Sequence, residues 1–238
     1  MPRPRVTALI AGAGKAQRMG KINKIMMDLG GMPVIEQTVR ALARSGRIQH
    51  HIILLRSEDL VLFEKESLPS LVRDFPDQTF SLVSGGEERQ DTIKKGLEAV
   101  SEGTDIILIQ DGARPFTSTD LVVRGLDKMD QEAWDGCIAA VPATDTIKEV
   151  EDREEIVATP DRSRLYQAQT PQIFRREALL SAYEKPLAAG EKVTDDAQMV
   201  ARHGGRVAVY PGDPQNIKLT RPEDLSYANY LVKETRHE

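Results

Sequence analysis

The chain has 238 residues, of which 40% are hydrophobic and 29% charged, and its formal net charge is -5. That acidic balance argues against bulk nucleic-acid or anionic-membrane binding, and no apolar run approaches the ~18 residues of a membrane span. The single cysteine, Cys137, excludes an intrachain disulfide, and its apolar neighbours from Gly136 to Val141 predict a buried strand residue in place of a reactive thiol.

The basic start, Met1-Pro2-Arg3-Pro4-Arg5, is followed by an apolar stretch, Val6–Ala11, too short for a signal-peptide core, which predicts a cytoplasmic protein. Val6–Ala11 is the first predicted strand, and it opens into a glycine-rich, basic turn, Gly12-Ala13-Gly14-Lys15-Ala16-Gln17-Arg18-Met19-Gly20, with Lys24 just beyond. Val34, Ile35, Thr38, Val39 and Leu42 share a helical face that stops at Gly46. Ile52–Leu55 is a second buried strand, Glu58–Asp77 is read as helix, and Phe80–Val83 is a third strand ending at Ser84-Gly85-Gly86. Ile93, Leu97 and Val100 mark the next helix, and the fourth strand, Ile106–Ile109, stops at Asp111-Gly112-Ala113-Arg114-Pro115.

A helix through Leu121, Val122, Leu126 and Met129 follows, with Ser118 or Thr119 near its N-cap, and Cys137–Val141 is a fifth strand. The charged segment 144–164 breaks this alternation with two short β-like pieces, Thr146–Val150 and Glu155–Ala158, separated by Glu151-Asp152-Arg153, which predicts a projecting hairpin. Helical patterns return at Arg175–Tyr183 and Thr194–His203, and Val207–Tyr210 is a late strand. Thr220-Arg221-Pro222-Glu223 predicts a capping box for the last helix. Strand-length runs alternating with helical periods predict an α/β fold: a mostly parallel sheet flanked by helices, in a single domain over residues 1–238 with a β-arm at 144–164.

The loop after the first strand has the small residues and basic charge of a phosphate site. It matches neither a Walker A sequence, because Leu9 and Ala16 occupy the required Gly and Ser/Thr positions, nor a dinucleotide fingerprint, because residue 17 is Gln. Further motifs stand where predicted strands end, the edge at which open α/β sheets bind ligands. They are Gly85-Gly86-Glu87-Glu88-Arg89-Gln90-Asp91-Thr92, Asp111-Gly112-Ala113-Arg114-Pro115 and Pro142-Ala143-Thr144-Asp145-Thr146-Ile147-Lys148. Later come Gln169-Thr170-Pro171-Gln172, Thr194-Asp195-Asp196-Ala197 and Asn216-Ile217-Lys218-Leu219-Thr220. Two bland readings stay open here: Asp111 and Arg114 as a pair across a turn, and Asp195 and Asp196 as first-turn acids favoured by the helix dipole. Thr220 is read as a cap, and His50, His51, His203 and His237 have no metal-ligand spacing.

Taken together and in this order, the motifs resemble those of the cytidylyltransferase family that couples CTP to 2-C-methyl-D-erythritol 4-phosphate in the non-mevalonate isoprenoid pathway. The sequence departs from that pattern at Gly12, at Ala16, where Gly is usual, and at Asn23 and Ile25, which flank Lys24. The resemblance implies a Rossmann-like sheet, a β-arm exchanged between the subunits of a homodimer, and Mg²⁺ or another hard divalent cation as cofactor. It implies Arg18, Lys24 and Lys218 as the catalytic cations, and Gly12, Ala13, Gly14, Lys15, Gly85, Gly86, Thr92, Asp111 and Gly112 as the CTP site. Asp111 would also place the metal, and the Thr92 hydroxyl would read cytosine. Arg114, Thr146, Arg162 and Thr194 would hold the sugar-alcohol phosphate, with Thr146 and Arg162 serving the partner subunit's site. The same loops suit a ribitol-5-phosphate cytidylyltransferase, and Ala16 and Ile25 keep a non-catalytic nucleotide-binding protein in view. A sugar-1-phosphate nucleotidyltransferase would use a different loop, and Gln17 disfavours a dehydrogenase.

Overall fold

Val6–Ala11 forms strand β1, and its side chains alternate between two apolar layers, with Val6, Ala8 and Ile10 in one and Leu9 in the other. A strand covered on both faces needs apolar residues at nearly every position, which explains its uninterrupted run. The computed structural model describes residues 3–14, 24–131, 133–152, 154–185 and 193–234. Lys15, Ala16, Gln17, Arg18 and Asn23, on which several expectations rest, lie outside the described residues, as does Arg153 of the hairpin.

After β1 come helix α1 (Val34–Ala43), strand β2 (His50–Leu55), helices α2 (Ser57–Glu66) and α3 (Leu68–Asp74), strand β3 (Thr79–Ser84) and helix α4 (Arg89–Glu98). The second part holds strand β4 (Ile106–Asp111), helix α5 (Thr119–Gln131), strand β5 (Gly136–Pro142) and the short strands β6 (Glu149–Val150) and β7 (Ile156–Ala158). Strand β8 (Tyr166–Arg175), helices α6 (Arg176–Glu184) and α7 (Asp196–Arg202), strand β9 (Val207–Pro211) and helix α8 (Pro222–Glu234) complete it. The main sheet has the order β3-β2-β1-β4-β8-β5-β9; β1, β2, β3 and β4 pair in parallel, as do β5 and β9, and β8 runs antiparallel to both β4 and β5. Helices α1, α5 and α8 contribute apolar side chains to one face, and α4, α6 and α7 to the other.

The chain leaves β1 to build β2 and β3 on one side, then returns to place β4 on the other. The crevice at the carboxyl ends of β1 and β4 is therefore a topological switch point. The register makes it tight: Ala11 pairs with Asp111, and the Gly112 N–H donates to the Ala11 carbonyl at 2.8 Å.

Three expectations are revised. The stretch read as one helix over Glu58–Asp77 is two, because Pro69 near the start of α3 has no N–H to continue the α2 ladder, and Ser67 marks the break. Strand β8 had no counterpart in the sequence reading: Pro171 interrupts it, and only Ile173 and Phe174 at its end carry a strong apolar signal. The ladder between β5 and β8 tolerates the proline by shifting register between Ile138 and Ala140. At α8 the box closes on Asp224, not Glu223: Asp224 Oδ2 accepts from the Thr220 N–H at 2.6 Å, the Thr220 hydroxyl at 3.0 Å and the Arg221 N–H at 2.8 Å.

The projecting hairpin is present as the pair β6–β7, with Val150, Ile156 and Val157 about half exposed. Ser118 is the α5 cap, its hydroxyl accepting from the Leu121 N–H. Cys137 is fully buried in β5, where burial pushes its thiol up to about 12.

Candidate active site

Asp111 is the last residue of β4, and three cations converge on its buried carboxylate. Lys218 Nζ lies 2.9 Å and Arg114 Nε 3.4 Å from Oδ2, while Arg89 Nε lies 3.7 Å from Oδ1. Burial alone would raise this carboxyl's pKa, but Lys218, Arg89 and Arg114 together hold it well below the usual carboxylate range. Asp111 and Arg114 do pair across the turn, but that pair is one edge of a larger cluster.

Two clefts meet at Arg89, Asp111 and Lys218, and a larger one of about 1070 Å³ adjoins them at Arg114 and Lys218. The smaller, of about 120 Å³, is lined by Gly12, Gly14 and Lys24 after β1, by Thr92 of α4, and by Arg89, Asp111 and Lys218. Its titratable lining is three cations against one carboxylate among the described residues, the balance an anionic ligand requires. A Cβ on Gly14 would meet no described atom within 4 Å. The second cleft, of about 260 Å³, is lined by Arg114, Thr170, Gln172, Thr194 and Asp195 with the same Arg89, Asp111 and Lys218.

The remaining expected residues divide clearly. Ala13 and Gly85 touch, and a Cβ on Gly85 would stand 2.1 Å from the Ala13 Cβ, which makes Gly85 a packing requirement between the two loops. Gly112 is similarly confined, with the Ile35 Cδ1 2.4 Å from where a Cβ would be. The Thr92 hydroxyl is engaged within its own turn, accepting from the Gly86 N–H at 3.1 Å and donating to the Glu88 carbonyl at 3.0 Å. It therefore shapes the Gly85-Gly86 turn and lines the smaller cleft beside it. Thr146 and Arg162 are exposed on the arm and line neither cleft; the Arg162 guanidinium donates to the Thr144 carbonyl at 2.7 Å.

Two residues that the sequence reading left without a role are structurally central. Arg89 opens α4 and lines both clefts. Asn216 is completely buried and satisfies all its polar groups: its side-chain amide donates to the Thr170 carbonyl at 2.7 Å, and its Oδ1 accepts from Thr117 at 3.0 Å. Its carbonyl accepts from Arg114 Nη1 at 2.6 Å, and its N–H donates to the Asp213 carbonyl at 3.0 Å. Two residues before Lys218, it pins the loop that delivers that lysine. Both residues sit inside motifs visible in the sequence, but only their partners, for Arg89 both Asp111 and the more distant Asp196, give them meaning.

The profile of the family described as IspD, 2-C-methyl-D-erythritol 4-phosphate cytidylyltransferase, matches residues 6–234. The chain belongs to this cytidylyltransferase family. A member from Geobacter metallireducens is 39% identical over 234 residues, covering 96% of this chain and 98% of that protein. One from Syntrophotalea carbinolica is 41% identical over 230 residues, covering 95% and 96%. Among solved structures, the 4-diphosphocytidyl-2C-methyl-D-erythritol synthase of Anaerococcus prevotii superposes with a TM-score of 0.83 at 28% identity, covering 98% of this chain and all of that one. The mostly parallel Rossmann-like sheet expected for the family is the fold observed.

The Asp111 carboxylate also fits the family's expected divalent cation. Its Oδ1 accepts no hydrogen bond among the described residues and has Arg89 no nearer than 3.7 Å, so one hard oxygen stays open. A single protein carboxylate, completed by substrate phosphates and water, is an ordinary Mg²⁺ donor set.

Proposed function

We propose that the chain transfers the cytidylyl group of CTP to 2-C-methyl-D-erythritol 4-phosphate, giving 4-diphosphocytidyl-2-C-methyl-D-erythritol and pyrophosphate. The observation that carries the reading is the seam of Lys218, Asp111 and Arg89 shared by a glycine-walled cationic cleft and a second polar cleft. Such an arrangement suits two phosphorylated reactants meeting at one point.

The triphosphate of CTP enters the smaller cleft along Gly12, Ala13, Gly14 and Lys15, with Gly112 and Asp111 beneath it, and the base extends past Thr92 to the Gly85-Gly86 turn beyond that cleft. The second reactant lies beside Arg114 and Thr194. A phosphate oxygen of the sugar-alcohol phosphate attacks the α-phosphorus, the bond from that phosphorus to the bridging oxygen of the β-phosphate breaks, and pyrophosphate leaves with the bonding electron pair. No covalent protein nucleophile is needed. Arg18, Lys24 and Lys218 neutralise the charge that grows on the equatorial and leaving oxygens, and their fixed placement supplies alignment. Asp111 would hold Mg²⁺, which would supply further neutralisation of the triphosphate.

The arm completes the site in trans: Thr146 and Arg162 reach the partner's substrate in a homodimer. The support is the half-exposed apolar set Val150, Ile156 and Val157 on so short a hairpin, a surface that an isolated monomer would leave wet. Solution mass and activity test this together, and a monomer with full turnover contradicts it. For the reaction, pyrophosphate release is measured with CTP, Mg²⁺ and each acceptor in turn. Turnover with methylerythritol phosphate is expected. Faster release with ribitol 5-phosphate overturns the acceptor, and no release with either overturns the enzymatic reading.

A further inference from the structure

We infer that Asp196 and Tyr183 are positioning residues for the transfer reaction, acting through Arg89. The inference rests on the function proposed above and extends it to residues that touch neither cleft.

Among the described residues, three line both clefts: Arg89, Asp111 and Lys218. Asp111 and Lys218 already hold each other at 2.9 Å. Arg89 has a long, flexible side chain, and among the described residues no neighbour within α4 or the turn before it bonds its guanidinium. Its anchor comes from the other end of the chain. Asp196, the first residue of α7, accepts from Arg89 Nη2 through Oδ2 at 2.6 Å. The other oxygen, Oδ1, accepts from the Tyr183 hydroxyl of α6 at 2.5 Å. The Asp196 side chain has no exposed surface, so both oxygens are committed and the carboxylate cannot rotate away.

The alternative position of Arg89 is also defined. The other carboxylate in its reach is Asp111, now 3.7 Å from Nε. Without the pull of Asp196, the guanidinium would close on Asp111 Oδ1, occupy the oxygen left open there and change the shape of the seam. Asp196 thus holds Arg89 back as well as in place. Tyr183 fixes the angle of that carboxylate. A buried pair of this kind could also serve only to join α4 to α6 and α7, and the two roles differ in what they predict.

The test compares the parent chain with Asp196→Asn, Tyr183→Phe, Arg89→Gln and the Arg89→Gln/Asp196→Asn double variant. Pyrophosphate release from CTP and methylerythritol phosphate is followed at saturation, with thermal melts in parallel. A misplaced group near the reacting atoms costs on the order of 10–100-fold. We expect kcat losses in that range for Asp196→Asn, a smaller one for Tyr183→Phe, and a double variant no slower than Arg89→Gln alone. A purely structural pair would instead lower the melting temperature, leave kcat of the folded enzyme within twofold of parent, and make the double loss the product of the single ones. That result overturns the inference. Should Asp196→Asn fail to fold, Tyr183→Phe decides: it removes one hydroxyl and no charge, and parent kcat in that variant is the overturning result. A parent chain silent with both acceptors sinks the underlying function, whereas an active parent with unaffected variants sinks the positioning role alone.

Discussion

Lys218→Ala is expected to lower kcat by about 10²–10³-fold while changing stability little, the loss typical of removing one preorganised charge from a transition state. The lysine stands 2.9 Å from Asp111 at the seam of the two clefts, and its side chain is 38% exposed. A pair that open to solvent contributes about 0–1 kcal/mol to folding. Its value lies in where it is held. Asn216 is pinned by four hydrogen bonds, and the Leu219 N–H donates to the Ala113 carbonyl at 2.9 Å, so the loop on either side of Lys218 is fixed to the β4 turn. Alanine there keeps those contacts and removes only the charge. Steady-state pyrophosphate release and a thermal melt check both halves. A kcat within threefold of parent would remove Lys218 from the reacting centre.

Asp111→Asn should be worse, because it damages both stability and turnover. Lys218, Arg114 and Arg89 lie 2.9, 3.4 and 3.7 Å from this carboxylate, and Arg114 is itself buried. Neutralising the carboxylate leaves three cations facing one another. Breaking a buried pair in this way costs about 3–5 kcal/mol, with the lower end expected here because Lys218 is partly screened by solvent. The variant also loses the open hard oxygen proposed for Mg²⁺, so turnover should fall beyond the effect on folding. The pH dependence follows from the direction of the shift. Asp111 is held ionised well below its ordinary range, so its contribution is fully present above the unfolded carboxylate pKa of about 4. It is lost only as the pH falls through the lowered folded value. Parent stability should therefore lose nothing to this group between pH 7 and pH 5, and the gap between parent and Asp111→Asn should stay constant there. Denaturant melts at both pH values measure it. Below pH 4 the gap should narrow, and a gap that stayed constant there as well, in melts extended to pH 3, would mean that Asp111 titrates normally.

The sequence reading succeeded where local pattern and burial agree. β1, β2, β4 and β5 are buried on both faces, and an uninterrupted apolar run states that directly. The hairpin at β6–β7 was legible for the opposite reason, as a charged excursion from an apolar rhythm. Strand β8 was hidden because its polar half and Pro171 look like loop; its strand character comes from pairing with β4 and β5, which no local window contains.

The site divides in the same way. Glycines and cations at strand ends follow from chain order alone, since a parallel sheet gathers its strand ends at one edge. By itself, the sequence determined the fold class, the presence of a glycine-rich, basic stretch after β1 and the family resemblance. It could not say which cation meets which anion. Arg89 opening α4, Asp111 ending β4, Asp196 on α7 and Lys218 after β9 are separated by many turns of chain, and their ion pairs exist only once the sheet order sets them side by side. Coulomb energy depends on distance in space, steeply so in a buried site, and that distance is fixed by tertiary structure.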